Sequence, residues 1–332
     1  MPGEWDEFEK LEPLVAEQLT LSRATRIAKG FSFEQKYLLD GENGTRYLLR
    51  ITATPTSDIA GRKRQEYETL CGLGNYSSLV PRTFAFGTSR DGSLCFMVLS
   101  YFDGMDGEEA LGSLSETEQY RLGVQAGREL RNLHAMPAPA GRQEWCHAFR
   151  EKISGKLRRF SETGIELAGI DPAELVGLIQ RGLPGIQSVR QTFLHDDYHP
   201  ANLIVRHGGL AGIIDFNRYD WGDPVHDFIK MAYFSRALSI PFSAGQVHGY
   251  FGGGAPMEFC NSYSFYCAAT IVSDILWSHW YEETSGSAGE VARSEKRIRM
   301  VVSDHEEFTT NIPRWYREYM PPGPTERGNG TG

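Results

Sequence analysis

FLHDDYHPANLIVRHGGLAGIIDF, residues 193–216, sets Asp196, Asp197, Asn202 and Asp215 around one short apolar hairpin pattern. Leu203-Ile204-Val205 and Gly212-Ile213-Ile214 are β-type runs, and Gly208-Gly209 between them is a turn signal. A loop over 207–210 sets Arg206 opposite Ala211 and Asn202 opposite Asp215. Residues directly opposite on paired strands lie roughly 5 Å apart. Asp197 precedes Asn202 on the segment that feeds the first strand. Two oxygen donors and a second carboxylate then converge on one point. Hard oxygen ligands of this kind suit magnesium, which keeps several waters and is completed by substrate phosphates. The simpler reading, in which Asp and Asn only cap the hairpin ends, accounts for each residue alone but not for the joint pattern.

The rest of the chain bounds what this hairpin can serve. With 332 residues it can bury a large core, and it exceeds the usual size of one compact domain, so two lobes are expected. Apolar residues make up 40% and charged residues 23%, the balance of a globular protein. The N-terminus, MPGEWDEFEK, is acidic and has no apolar run of signal-peptide type. The most apolar late stretch, Tyr263 to Val272, is too short to span a bilayer. Five cysteines without a C-x-x-C pair fit reduced thiols in a cytoplasmic protein. A net charge of −9 argues against nucleic acid as a partner and is compatible with a cationic one.

Upstream, RIAKGFSFEQKYLLD and TRYLLRITAT read as strands joined by a turn from Gly41 to Gly44. SDIAGRKRQEYETLCGL reads as a helix capped near Ser57, with Tyr67, Leu70 and Leu73 at helical spacing. LCFMVLSYFDG is a further strand running into a loop. LSETEQYRLGVQAGRELRNLHAM is a helix with Leu122, Ala126, Leu130 and Leu133 on one face. His134 at its end reads as a packed structural histidine.

His195-Asp-Asp197-Tyr-His-Pro-Ala-Asn202 resembles the H-x-D-x-x-x-x-N catalytic loop of the protein-kinase-like fold. With His-Pro between Asp and Asn it is similar to the aminoglycoside phosphotransferase family, which is itself similar to choline kinases. Ile213-Ile-Asp215-Phe matches that family's metal-binding aspartate, and Asp223-Pro-Val-His-Asp227 matches the G-D-P-x-x-D segment that follows. The resemblance runs from about residue 25 to 235 and is most specific over 193–228. Beyond about 240 no motif is assigned.

The resemblance implies an α+β, two-lobed protein-kinase-like fold. Residues 1–102 would be a nucleotide-binding lobe of antiparallel sheet with one helix, ending in a hinge. Residues 103–320 would be a mainly helical lobe with the catalytic loop and acceptor site, and 321–332 a disordered tail. It further implies transfer of the γ-phosphate of ATP or GTP to a small-molecule hydroxyl. Asp197 would orient that hydroxyl and take its proton late, because an aspartate of ordinary pKa near 4 is a poor base for an alcohol. Asn202 and Asp215 would hold Mg2+. Arg50, where the V-A-I-K motif has Lys and many relatives have Arg, would pair with Glu66 and position the phosphates, with Lys36 the alternative cation. Ser32 would cover the phosphates, although Lys29-Gly30-Phe-Ser32 offers one glycine where kinases have several. Backbone groups of Ser100 and Phe102 would meet adenine. His195 and Asp227 would buttress the loop, and Asp196 reads as a surface residue.

An aminoglycoside-like, cationic acceptor would be held by Asp274, Glu282 and Glu283, with Trp277 and Trp280 as walls. The bland alternative makes those aromatics core and those acids a solvated face. A macrolide, a cationic peptide antibiotic or a metabolite such as choline remains open as acceptor. So does a catalytically inactive binding module.

Overall fold

Alternation of apolar and polar side chains over the first hundred residues builds a sheet with two unlike faces. The computed structural model describes residues 6–28, 34–42, 44–167 and 169–322. Ser32 and residues 323–332 of the expected tail lie outside the described residues. The described residues up to Gly104, with Ala211–Asn217, form one compact unit; Met105–Leu210 and the described residues from Arg218 onward form a second.

In the first unit β1 (Leu21–Ile27), β2 (Gln35–Gly41), β3 (Arg46–Ala53), β4 (Thr83–Thr88) and β5 (Leu94–Ser100) make one sheet of order β1-β2-β3-β5-β4. Every neighbouring pair is antiparallel. The expected turn closes β2 to β3, with Gly44 N–H donating to the Gly41 carbonyl. Side chains alternate across a strand, so Tyr47, Leu49 and Ile51 of β3 share a buried face with Tyr37, Leu39, Phe96 and Val98. Helix α1 (Asp6–Ala16), which no motif announces, lays Phe8, Leu11 and Val15 onto this core at helical spacing. The opposite face of β3 carries Arg50 and Thr52. Helix α2 (Ser57–Leu73) buries Leu70 and Leu73. Its N-cap is Thr56 rather than Ser57, and no side chain caps it.

The second unit is mostly helical. After β6 (Met105–Asp106) and α3 (Gly107–Leu111) comes α4 (Glu116–Leu133), opened by a capping box between Ser115 and Glu118. Its expected apolar face, Leu122, Ala126, Leu130 and Leu133, is buried. Helices α5 (Trp145–Thr163) and α6 (Pro172–Gly182) follow. Then come β7 (Thr192–Leu194), β8 (Leu203–Arg206), β9 (Gly209–Ile213) and β10 (Asp220–Gly222). The C-terminal part holds α7 (Arg236–Leu238), α8 (Ile240–Phe251), the 29-residue α9 (Met257–Ser285), α10 (Glu290–Asp304) and α11 (Arg314–Glu318). No described helix is long and apolar enough to cross a membrane.

Helices α4 and α8 meet along a seam of glycines. A Cβ at Gly123 or Gly127 would run into the carbonyl oxygens of Phe242 and Gln246; one at Gly245 or Gly249 would run into those of Tyr120 and Val124. The two backbones are in contact, and no larger residue fits without separating the helices.

The hairpin differs from expectation in its loop. β8 ends at Arg206 and β9 begins at Gly209, leaving His207-Gly208 as a two-residue connection. Both residues have positive φ, 53° and 74°. This is the backbone of a type I′ turn, whose twist matches that of the flanking strands. The loop is therefore not 207–210: a two-residue turn faces Arg206 with Gly209 rather than Ala211, and the register moves by two residues. The expected pairing of Asn202 with Asp215 falls with it.

Candidate active site

The segment after β7 is pinned from below by one buried carboxylate. Asp227 Oδ2 accepts the His195 N–H at 2.8 Å and Oδ1 accepts the Asp196 N–H at 2.6 Å. His134 Nε2 reaches Asp227 Oδ2 at 3.0 Å, and His134 Nδ1 meets the Tyr250 hydroxyl at 2.8 Å. His195, fully buried, accepts the Asp197 N–H at its Nδ1. Tyr198, buried behind the loop, donates its hydroxyl to the Ala126 carbonyl of α4. The loop thus hangs on the same helix as the glycine seam. Asp196 is left-handed at φ 58°, a conformation Asp tolerates better than most residues. Strain of this kind persists only where the surroundings enforce it, and here the two bonds from Asp227 do so.

Asn202 closes a short 3-10 turn over Pro200–Asn202. Its Nδ2 donates to the Asp197 carbonyl at 2.9 Å and to Asp197 Oδ2 at 3.2 Å. Nδ2 also lies 3.4 Å from His199 Nε2, and Oδ1 has no partner among the described residues. Asp197 Oδ1 lies 2.9 Å from Lys230 Nζ and 3.7 Å from His199 Nε2. Burial alone would raise the Asp197 pKa; His199 and the Lys230 ammonium outweigh it and pull it far below the ordinary carboxylate value. Asp215 follows β9 in the first unit, left-handed at φ 65°. Its carboxylate has no hydrogen-bond or ion-pair partner among the described residues. The Asp215 carboxylate and the Asn202 amide oxygen are each hard donors of the kind magnesium takes.

Asp197 lies on the wall of a cavity of 480 Å³ within the second unit. Asp196, expected on the surface, lines it too and sits 3.0 Å from His226 Nδ1. It turns inward because Asp227 fixes the backbone on both sides of His195. Lys230 leads into a π-turn at Met231–Ser235, a local widening of the helix. Phe234 of that turn lines the cavity, stacks on His199 and lies under both Lys230 and Arg297.

The expected acceptor residues separate. Asp274 and Trp277 line the cavity. Asp274 is committed to Arg297 at 3.0 Å and to the Ser294 hydroxyl at 2.7 Å. Trp277 stacks on Tyr281 with ring centroids 5.0 Å apart. Trp280 is half-exposed and outside the lining, Glu283 is exposed, and Glu282 accepts the Val291 N–H at the start of α10.

In the first unit Arg50 is 5% exposed and held from two sides, by Glu66 at 2.6 Å and Glu34 at 2.6 Å. Lys63 joins the same two carboxylates at 2.7 and 2.5 Å. Two cations and two anions thus form a closed buried cluster. Burial raises the Glu34 pKa, but Arg50 and Lys63 together outweigh it and hold it at about 2. Lys36 is the register partner of Arg50 across β2 and β3, is part-exposed, and makes no ion pair among the described residues. Sequence reading missed Glu34 and Lys63; Lys63, one helical turn before Glu66 on α2, was the available signal. At the end of β5 the Ser100 N–H is already given to the Arg82 carbonyl. Phe102 keeps its backbone N–H and C=O unpaired among the described residues, and its ring fills the space that Gly212 leaves open.

Residues 23–260 match the model of the phosphotransferase enzyme family. The chain belongs to that family. This phosphotransferase shares its fold with aminoglycoside phosphotransferase APH(2")-IIa in complex with streptomycin and ATP. The identity is 16%, the alignment covers 95% of this chain and 99% of the other, and the TM-score is 0.58. The macrolide 2'-phosphotransferase MphH from Brachybacterium faecium is similar at 18% identity, over 88% of this chain and 98% of the other, with a TM-score of 0.58. Aminoglycoside 2'-phosphotransferase-IIIa in its GDP complex is similar at 15% identity, over 90% and 98%, with a TM-score of 0.62. Curated protein sequences gave no match. The phosphotransferase is thus an enzyme of α+β fold, as the catalytic-loop resemblance implied.

Proposed function

We propose that this enzyme transfers the γ-phosphoryl group of ATP or GTP to a hydroxyl of a small molecule seated in the cavity beside Asp197. The observation that carries the reading is the grip on Asp197: Asn202 Nδ2 on Oδ2, Lys230 on Oδ1, and a backbone fixed through His195. Phosphoryl transfer asks a protein for alignment and charge neutralisation rather than covalent chemistry. Asp197, kept ionised, accepts the hydrogen bond of the acceptor hydroxyl and aims its oxygen. It takes the proton only as the new P–O bond acidifies that hydroxyl. Asn202 Oδ1 and Asp215 are the donors for Mg2+, which would neutralise phosphate charge when bound. Arg50, oriented by Glu34 and Glu66, is the cation assigned to the donor phosphates, with Lys36 beside it in the sheet register. Phe102 offers the backbone pair for the base.

A polycationic acceptor draws little support from the residues expected to hold it. Asp274 is already neutralised by Arg297, Glu282 caps α10, and Glu283 stands outside the cavity lining.

The test is magnesium-dependent nucleoside triphosphate turnover across a panel of hydroxylated acceptors, with Asp197→Asn as control. Acceptor-dependent turnover abolished in the variant supports the reading. Nucleotide binding without turnover on any acceptor favours an inactive binding module.

A further inference from the structure

The charges in the cavity are not arranged at random. Each carboxylate of the lining has a basic partner within it: Asp197 has Lys230, Asp196 lies 3.0 Å from the His226 imidazole, and Asp274 and Glu290 share Arg297. Three cations are left over. Among the described residues no carboxylate lies within salt-bridge distance of Lys152, Lys156 or Arg218. The chain as a whole carries −9, so a cavity with a surplus of cations runs against its background.

Lys156 is the most informative of the three. It stands on α5, part-buried, with Nζ donating to the Ser273 hydroxyl of α9 at 2.6 Å. An ammonium has three donors, and one hydroxyl does not compensate its charge. Lys152 and Arg159 on its own helix repel it, and Asp196 attracts it only from a distance. A cation held this way, beside like charge and partly out of water, is stabilised by a ligand of opposite sign. Ile153 and Phe149 on α5, with Trp277 on α9, supply apolar wall for the body of such a ligand.

We infer that the acceptor carries an anionic group, a carboxylate or a phosphate ester, which Lys156 binds together with Lys152 and Arg218 while the acceptor hydroxyl meets Asp197. The inference rests on the phosphotransferase reading for the hydroxyl end and on the cation surplus for the other. It replaces the polycation expected from sequence with an acceptor of opposite sign, because the lining holds five lysines and arginines against four carboxylates, and Lys152, Lys156 and Arg218 have no carboxylate partner there.

The experiment is calorimetric titration of the full chain with inorganic phosphate, glycerate, glycerol 3-phosphate and spermine, each with and without saturating Mg-ADP. Wild type, Lys156→Met and Lys156→Arg are compared, with melting temperature as the check on folding. The anions bind wild type in both conditions, weaken by at least about tenfold in Lys156→Met and are largely retained in Lys156→Arg; spermine does not bind. Tighter glycerate names a hydroxy acid, and tighter glycerol 3-phosphate a phosphorylated polyol. Spermine binding, anion affinity unchanged in Lys156→Met, or no anion binding at all overturns the inference. So does displacement of the anion by Mg-ADP, since these cations then serve the donor. If Lys156→Met fails to fold, the pair Lys152→Met and Arg218→Gln takes its place under the same outcomes. Wild type that binds anions but no magnesium nucleotide overturns the phosphotransferase reading separately.

Discussion

Lys230 Nζ lies 2.9 Å from Asp197 Oδ1, so the carboxylate assigned to the acceptor hydroxyl already holds a cation. This pairing works against strong basicity. A carboxylate whose pKa is pulled far down accepts a hydrogen bond readily and a proton only when the donor has become acidic. Loss of Lys230 removes one of the two charges that outweigh burial. In Lys230→Met the acid limb of the kcat profile should therefore rise toward the ordinary carboxylate range. A limb that stays in place removes Lys230 from this role.

Asp197→Asn keeps the shape of the side chain and its bond to the Asn202 amide, but loses the charge. The kcat should fall by about 10²–10⁴-fold, the usual scale for a positioned base, while Mg-ATP affinity stays within about threefold. Comparable losses in both would place Asp197 in nucleotide binding instead.

Asp215→Ala removes a charged ligand and Asn202→Ala a neutral one. Half-saturating magnesium for nucleotide turnover should rise in both, and more in Asp215→Ala. Asn202→Ala also frees Oδ2 of Asp197, so it alone should carry a kcat loss that excess magnesium does not restore. Unchanged magnesium dependence in both variants rejects the metal assignment.

The Arg50 cluster makes an acid-sensitive sheet. Glu34 titrates at about 2 when folded, below its ordinary value. A depressed folded pKa contributes stability that is present above the unfolded value and lost as pH falls through the folded one. Urea unfolding should therefore weaken steadily from about pH 5 to about pH 2, and Glu34→Gln should flatten that dependence at a lower overall stability. Glu66→Ala, which strips a partner from a buried pair, should cost about 3–5 kcal/mol. A loss below 1 kcal/mol, the scale of an exposed pair, would mean that the cluster is not closed to water.

Lys156 has the opposite dependence. Burial first, then Lys152 and Arg159, bring its pKa down to about 8, with Asp196 opposing. Ser273, which faces it from α9, does not titrate. Affinity for inorganic phosphate should be full at neutral pH and decline as pH rises past about 8, less steeply in Lys156→Arg. A pH-independent affinity would point to Arg218 as the main ligand.

What could be read from sequence divides by the distance over which side chains are brought together. Asp197, Asn202, His195 and Asp227 lie within one short segment, and their mutual contacts follow from a strand, a turn and a hairpin. The strand character of TRYLLRITAT likewise revealed β3, and the motif match picked out Arg50 on it. The cavity wall was not legible. Lys156, Lys230, Asp274 and Arg297 come from α5, the π-turn, α9 and α10, and helix packing alone sets which of their faces meet. The first half of α9 is buried on nearly every side, so no apolar stripe marks its orientation. Sequence shows the acids at 274, 282 and 283 but not Arg297 or the α10 N-terminus that occupy two of them. The loop of the hairpin was read two residues too long because the turn falls on His207-Gly208, while Gly208-Gly209 advertised it more loudly.

The glycine seam between α4 and α8 sets unequal freedoms for the evolution of this chain. His134 ends α4 and Tyr250 lies on α8, and through them the seam reaches Asp227 and the backbone under Asp197. A methyl group at Gly127 is thus a change in the aim of the carboxylate assigned to the acceptor hydroxyl, although it touches no ligand. The walls on α5, α9 and α10 bear no such duty. New acceptors can be acquired there by drift in side chains, while Gly123, Gly127, Gly245 and Gly249 have a neutral space one residue wide. A library built to retarget this enzyme should randomise the walls and leave those four codons untouched.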